Sequence, residues 1–189
     1  MQTTRTLALA MFQYANDNNG QYPDGASSTD IFQQLIDGNY LSDSSILFVP
    51  LPGKVKAQPG AKLKPENVAY DVTSGVDAHS PDDLPLVYLT GFRMDYHAGG
   101  NAISLVKPFP DTVTSFEVWF FNHGEVDSAF DGLPIAYMSN NAFVRSFSTG
   151  GHPAQYTPDG YGIVPNVIGP EFDPHGRTYR QLTPDGVLK

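Results

Sequence analysis

The sequence predicts a mixed α+β domain in which an N-terminal α-helix packs on an antiparallel β-sheet, with a short second helix and long loops. Three observations carry this. Apolar residues recur at helical spacing up to about residue 38, and from about residue 67 the period changes to 2. The stretches between are rich in Gly, Pro, Asp and Asn, the residues of turns. A chain of 189 residues suits one domain and is long enough to bury a core.

The first helix is expected over residues 1–19. Thr6 to Ala15 are largely good helix formers; Leu7, Met11 and Tyr14 form one stripe, and Ala8, Phe12 and Ala15 an adjacent one. Asn18, Asn19 and Gly20 supply a left-handed stop, and Pro23 prevents an immediate restart. The second helix is expected over residues 29–38. Ser28 or Thr29 caps it, Ile31, Phe32, Leu35 and Ile36 form its buried face, and Gly38 ends it.

Residues 42–65 read as irregular. Lys54, Lys56, Lys62 and Lys64 place four of the six lysines around a Pro-Gly turn, either as a solvated loop or as a patch that docks on an acidic neighbour. Strands are then expected within residues 67–148: at 67–72, 85–90, 115–122, and as a hairpin of 134–139 with 142–147 joined by Asn140-Asn141, which tolerate positive φ. The expected core is Leu7, Met11, Tyr14, Phe32, Leu35, Val87, Val118, Phe120, Ile135, Tyr137 and Phe143.

Residues 1–149 thus form the domain. Residues 150–189, with seven Gly and six Pro, are expected to be a C-terminal extension wrapping it, mostly without regular structure. Pro-Asp-Gly at 23–25, 158–160 and 184–186 reads as three turns.

Twenty acidic against eleven basic residues give a net charge of −9, which excludes the basic face of a nucleic-acid binder. Sixteen of the acids are Asp, whose short side chain bonds nearby backbone N–H groups, so the acidity is loop chemistry. Without cysteine there is no disulfide, thiolate metal site or thiol nucleophile. No run approaches the roughly 18 apolar residues of a membrane span.

None of the five histidines, His79, His97, His123, His152 and His175, has metal-ligand spacing on a helix. No hydrolase elbow, metalloprotease, P-loop or dinucleotide motif occurs, so no catalytic residue or cofactor is assigned and the chain is read as a non-enzyme. A hydrolase would need His97 or His123 to meet an Asp in a cleft. Calcium is the alternative to plain surface turns at residues 71–83, with Asp71, Asp77, Asp82 and Asp83, and at 125–132, where the candidates are Asp127 and Asp131.

The run "LALAMFQYANDNNGQYPDG" followed by "IFQQLIDGNYLSD" resembles the type IV pilin-like proteins, in particular the pseudopilins related to the type II secretion major pseudopilin. The resemblance implies that the first run is the C-terminal half of one long helix. The N-terminal half would be a hydrophobic membrane segment preceded by a prepilin-peptidase cleavage site, with Met1 as an added start. A second helix, a linker and an antiparallel sheet then follow. It further implies a structural subunit of a bacterial secretion or pilus assembly, inner-membrane anchored in full length and exposed on the periplasmic or extracellular side of the envelope. Its partners would be other pilin-like subunits, met through the helix carrying Leu7, Ala8, Met11, Phe12, Tyr14 and Ala15. Leu7, Met11 and Tyr14 are expected to lie under the sheet, and Ala8 and Phe12 to face neighbours. The family's calcium loop has no residue-by-residue match. The alternative is an envelope carbohydrate- or ligand-binding module using Trp119, Tyr156 and Tyr161.

Overall fold

Helix α1 spans Gln2–Asp17 and stops where its Asn-Asn-Gly signal stands. Asn19 and Gly20 both take positive φ, at 56° and 79°, and the Gly20 N–H returns to the Ala15 carbonyl at 2.8 Å. The computed structural model describes residues 2–51, 53–82, 84–94, 96, 103–105, 132–139, 142–146, 155–156, 162–164 and 178–188. Helix α2 is Ser28–Asp37. Its cap is Ser27 rather than Ser28 or Thr29: the Ser27 hydroxyl accepts from the Asp30 N–H at 3.1 Å. Ser28 and Thr29 instead tie the helix inward, donating to the carbonyls of Tyr70 at 2.7 Å and Pro184 at 2.9 Å. At the far end Gly38 has an ordinary φ of −82°, and the left-handed residue is Asn39.

Two 3-10 turns, Ser44–Leu47 and Pro65–Asn67, lead into the sheet. Pro65 opens the second turn, so the strand expected from residue 67 starts at Tyr70. The strands are β1 Tyr70–Ser74, β2 Pro85–Leu89, β3 Phe92–Arg93, β4 Ile103–Leu105, β5 Gly132–Tyr137, β6 Ala142–Ser146, β7 Gln155–Tyr156, β8 Gly162–Val164, β9 Arg180–Thr183 and β10 Gly186–Val187. They form a six-stranded sheet ordered β10-β9-β1-β2-β5-β6 and a four-stranded sheet ordered β3-β4-β8-β7. Each pairing is antiparallel, and β5 and β6 form the expected hairpin with Ala136 opposite Ala142. The strand expected at 115–122 lies outside the described residues.

The end of the chain is built into the sheet rather than laid around it. Residues 180–187 are a hairpin whose Pro184-Asp185 turn is the last Pro-Asp-Gly copy, and β9 sits between β10 and β1 with Leu182 opposite Val72. The Gly/Pro density is real, but here it occupies a turn and leaves the two short strands free to pair.

Helix α1 lies across β2 and β5, and α2 across β1 and β9. Leu7, Met11, Ile31, Phe32, Leu35, Val72, Val87, Ile135 and Leu182 are wholly removed from solvent, the main driving force for this packing. Among the expected core residues Tyr137 is also buried and Tyr14 is half-buried; Val118 and Phe120 lie outside the described residues, and Phe143 lies on β6. Gly75, just after β1, has φ of 80°, and a Cβ there would stand 2.6 Å from the Thr178 carbonyl oxygen. Gly75→Ala should therefore lower unfolding free energy by about 1–3 kcal/mol, read as an earlier urea midpoint at constant slope. An unchanged midpoint would mean that β1 and the approach to β9 are not this close.

Candidate functional site

The outward side of α1 is the first candidate. At about 100° per residue a helix buries one arc only, and here that arc carries Thr4, Leu7, Ala8, Ala10, Met11 and Ala15. Of the six residues assigned to subunit contact, Leu7, Ala8, Met11 and Ala15 are thus spent on the protein's own core. Ala8 is a correction: expected to face a neighbour, it is buried, because it lies beside Leu7 and Met11 on the inward arc. Tyr14 lies on the same arc near the end of the helix, half-buried against the core with its ring edge-on to Tyr40 at 5.4 Å, while the Tyr40 hydroxyl donates to Asp17 Oδ2 at 3.1 Å.

Phe12 does point outward, 44% exposed, and it is joined by Leu9 at 39%. The two are three residues apart and therefore adjacent on the helix surface. Sequence reading misses Leu9 because it belongs to neither of the two adjacent apolar stripes, Leu7-Met11-Tyr14 and Ala8-Phe12-Ala15. The signal was present: Leu9 stands about 200° from Leu7, on the far side of the stripe.

The second candidate is a buried polar layer. Side chains alternate along a strand, so Asp71 and Thr73 share one face of β1 and, in register, meet Tyr88 of β2 and Gln181 of β9. Gln181 donates from Nε2 to Asp71 Oδ2 at 2.7 Å and accepts the Met94 N–H on Oε1 at 2.8 Å. The Tyr96 hydroxyl bonds those of Thr73 and Tyr88 at 2.8 and 2.9 Å, and its ring lies 6.1 Å from that of Tyr179. Asp71 is 1% exposed, and its Oδ1 has no hydrogen-bond partner among the described residues.

Burial pushes the Asp71 carboxyl up to about 7, against the weaker pull of Thr90, Gln181 and the Lys54 ammonium. Burial likewise raises the Tyr88 and Tyr96 hydroxyls, so both stay protonated. Chemically this layer can hold or release one proton near neutrality. An open groove of about 480 Å³ lies elsewhere, between α2 and the loop at residues 60–62.

Asp71 is therefore a buried strand residue rather than a member of a calcium loop. Asp77 caps its own turn, accepting the His79 N–H at 2.8 Å; Asp82 is exposed, and Asp83 lies outside the described residues. So do Asp127, Asp131, His97, His123, His152, His175, Trp119 and Tyr161, while Tyr156 belongs to β7. Among the described residues no three His, Cys, Asp or Glu side chains gather as metal ligands, and no helix is long and apolar enough to cross a membrane.

Fold and site together define a mixed α+β domain with an apolar pair on the outside of its first helix. Compared with family models, curated proteins and solved structures, the chain matches none of them.

Proposed function

We propose that the chain is the globular part of a pilin-like structural subunit of a bacterial secretion or pilus assembly. Leu9 and Phe12 carry this reading: they expose adjacent apolar side chains on a helix whose opposite arc is already committed to its own sheet. A face of that kind suits helix-to-helix packing between subunits. The order of two helices followed by an antiparallel sheet supports the same reading. In full length the subunit is held in the inner membrane by an apolar segment preceding this chain, with the domain on the outer side of that membrane; it performs no catalysis and carries no cofactor.

The test uses the absence of cysteine from these 189 residues, with any cysteine elsewhere in the full-length protein replaced by serine. Leu9→Cys and Phe12→Cys, placed singly in the full-length protein in its own cells and oxidised, should give disulfide-linked dimers that an exposed control away from α1, Asp82→Cys, does not. Both variants should melt as the wild type does, since neither side chain is core. Monomer alone in every oxidised sample would overturn the proposal, as would an upstream gene sequence without a cleavage motif and about twenty apolar residues.

A further inference from the structure

We propose that the lysine loop at residues 54–64 and the adjoining surface of α2 form a self-complementary docking site for a second copy of this chain. Charge segregation is the first observation. The loop holds four lysines and no acid, so a net charge of −9 for the whole leaves −13 on the remainder. Any second copy is thus an acidic partner for this loop.

The loop is also pre-organised, which lowers the ordering cost of binding. Lys54 is turned inward, its Nζ donating to the Pro65 carbonyl at 2.9 Å. The Val55 N–H reaches the Glu66 carbonyl at 2.8 Å, Asn67 Nδ2 reaches the Val55 carbonyl at 3.1 Å, and the Leu63 N–H reaches Gln33 Oε1 on α2 at 2.7 Å. Lys56, Lys62 and Lys64 remain outward. Lys56 stands 5.6 Å over the Phe48 ring, and Lys64 meets Glu66 only at 4.0 Å, with both side chains in solvent, so neither charge is consumed. Among them Val55 is 53% exposed, an apolar point within a charged rim.

The receiving surface lies next to it. The open groove is bordered by Gln33, Ile36 and Asp37 on one side and Gly60, Ala61 and Lys62 on the other. Asp30 and Asp37 are exposed seven residues apart on α2, hence on one face. Because the basic and acidic sides share one groove, a two-fold-related copy matches Lys62 to the other's Asp37 twice, as an isologous interface requires. The contact uses neither Leu9 nor Phe12 and stands apart from assembly through α1.

Sedimentation equilibrium of this chain up to millimolar concentration tests it. Wild type should dimerise in 20 mM salt and dissociate in 500 mM, where charge pairs are screened. Lys56→Glu/Lys62→Glu and Asp30→Lys/Asp37→Lys should each weaken self-association at least tenfold while melting like wild type, since all four positions are exposed. Mixing the two variants should restore a heterodimer. A wild type that stays monomeric in low salt, variants that dimerise undiminished, or a mixture that fails to recover would each overturn the proposal.

Discussion

Raising the pH from about 4 to about 8 should cost this protein up to about 4 kcal/mol of stability through Asp71 alone. In the unfolded chain its carboxyl ionises near the ordinary value of 3.8, whereas in the fold burial holds the proton until about pH 7. Between those values the folded state binds more protons than the unfolded one, so unfolding free energy falls as the pH rises. The contribution is fully present below about 3.8 and is lost as the pH passes through about 7. Roughly three pKa units at 1.36 kcal/mol each set the ceiling.

Asp71→Asn keeps the shape and an oxygen for the Gln181 Nε2 donor but cannot ionise. Urea melts of wild type and variant at pH 5, 6.5 and 8 should show the wild type alone losing stability across the series, with the variant the more stable at pH 8. Parallel curves would mean that Asp71 is hydrated or paired in solution. The physical point concerns more than one residue. Gln181 spans from Asp71 on β1 to the Met94 backbone and favours the ionised carboxylate, so the loss on ionisation is the cost of burying the charge, borne where β9 meets the segment after β3.

How much of this was legible beforehand depends on whether a feature is local. The stop of α1 was readable because Asn-Asn-Gly acts through its own φ angles, and the β5–β6 hairpin because two alternating apolar runs stand a short turn signal apart. The core residues of α2 were readable from spacing, since Ile31, Phe32 and Leu35 leave one arc to bury. Ser27 took the cap from its neighbours because Ser28 and Thr29 had long-range partners at Tyr70 and Pro184, which no local pattern announces. The last strands were obscured by composition, as Gly and Pro around the turn hide a short pairing segment decided across more than a hundred residues. Asp71 was the furthest from reach. It stands both in the strand expected at 67–72 and at the start of an acidic stretch that reads as loop chemistry, and only the register with Tyr88 and Gln181 makes it a buried acid.

Two phenylalanines give the largest contrast expected from packing. Phe12 and Phe32 both sit on helices at positions that read as apolar stripe, yet Phe32 is 0% exposed and Phe12 is 44% exposed. Phe32→Ala should cost about 3–5 kcal/mol, the transfer energy of the ring plus the cavity left under α2. Phe12→Ala should change stability by less than about 0.5 kcal/mol, because the helix keeps its buried arc and gains an equally good helix former. Guanidinium melts with equal slopes give both values directly. The pair separates two causes of apolar patterning: a ring kept for the fold is felt by the isolated chain, whereas a ring kept for a neighbour is silent until that neighbour is present. A loss below about 1.5 kcal/mol for Phe32→Ala would show that α2 is not docked on β1 and β9. A loss above that for Phe12→Ala would return Phe12 to the core and remove the exposed face on which the proposed assembly through α1 rests.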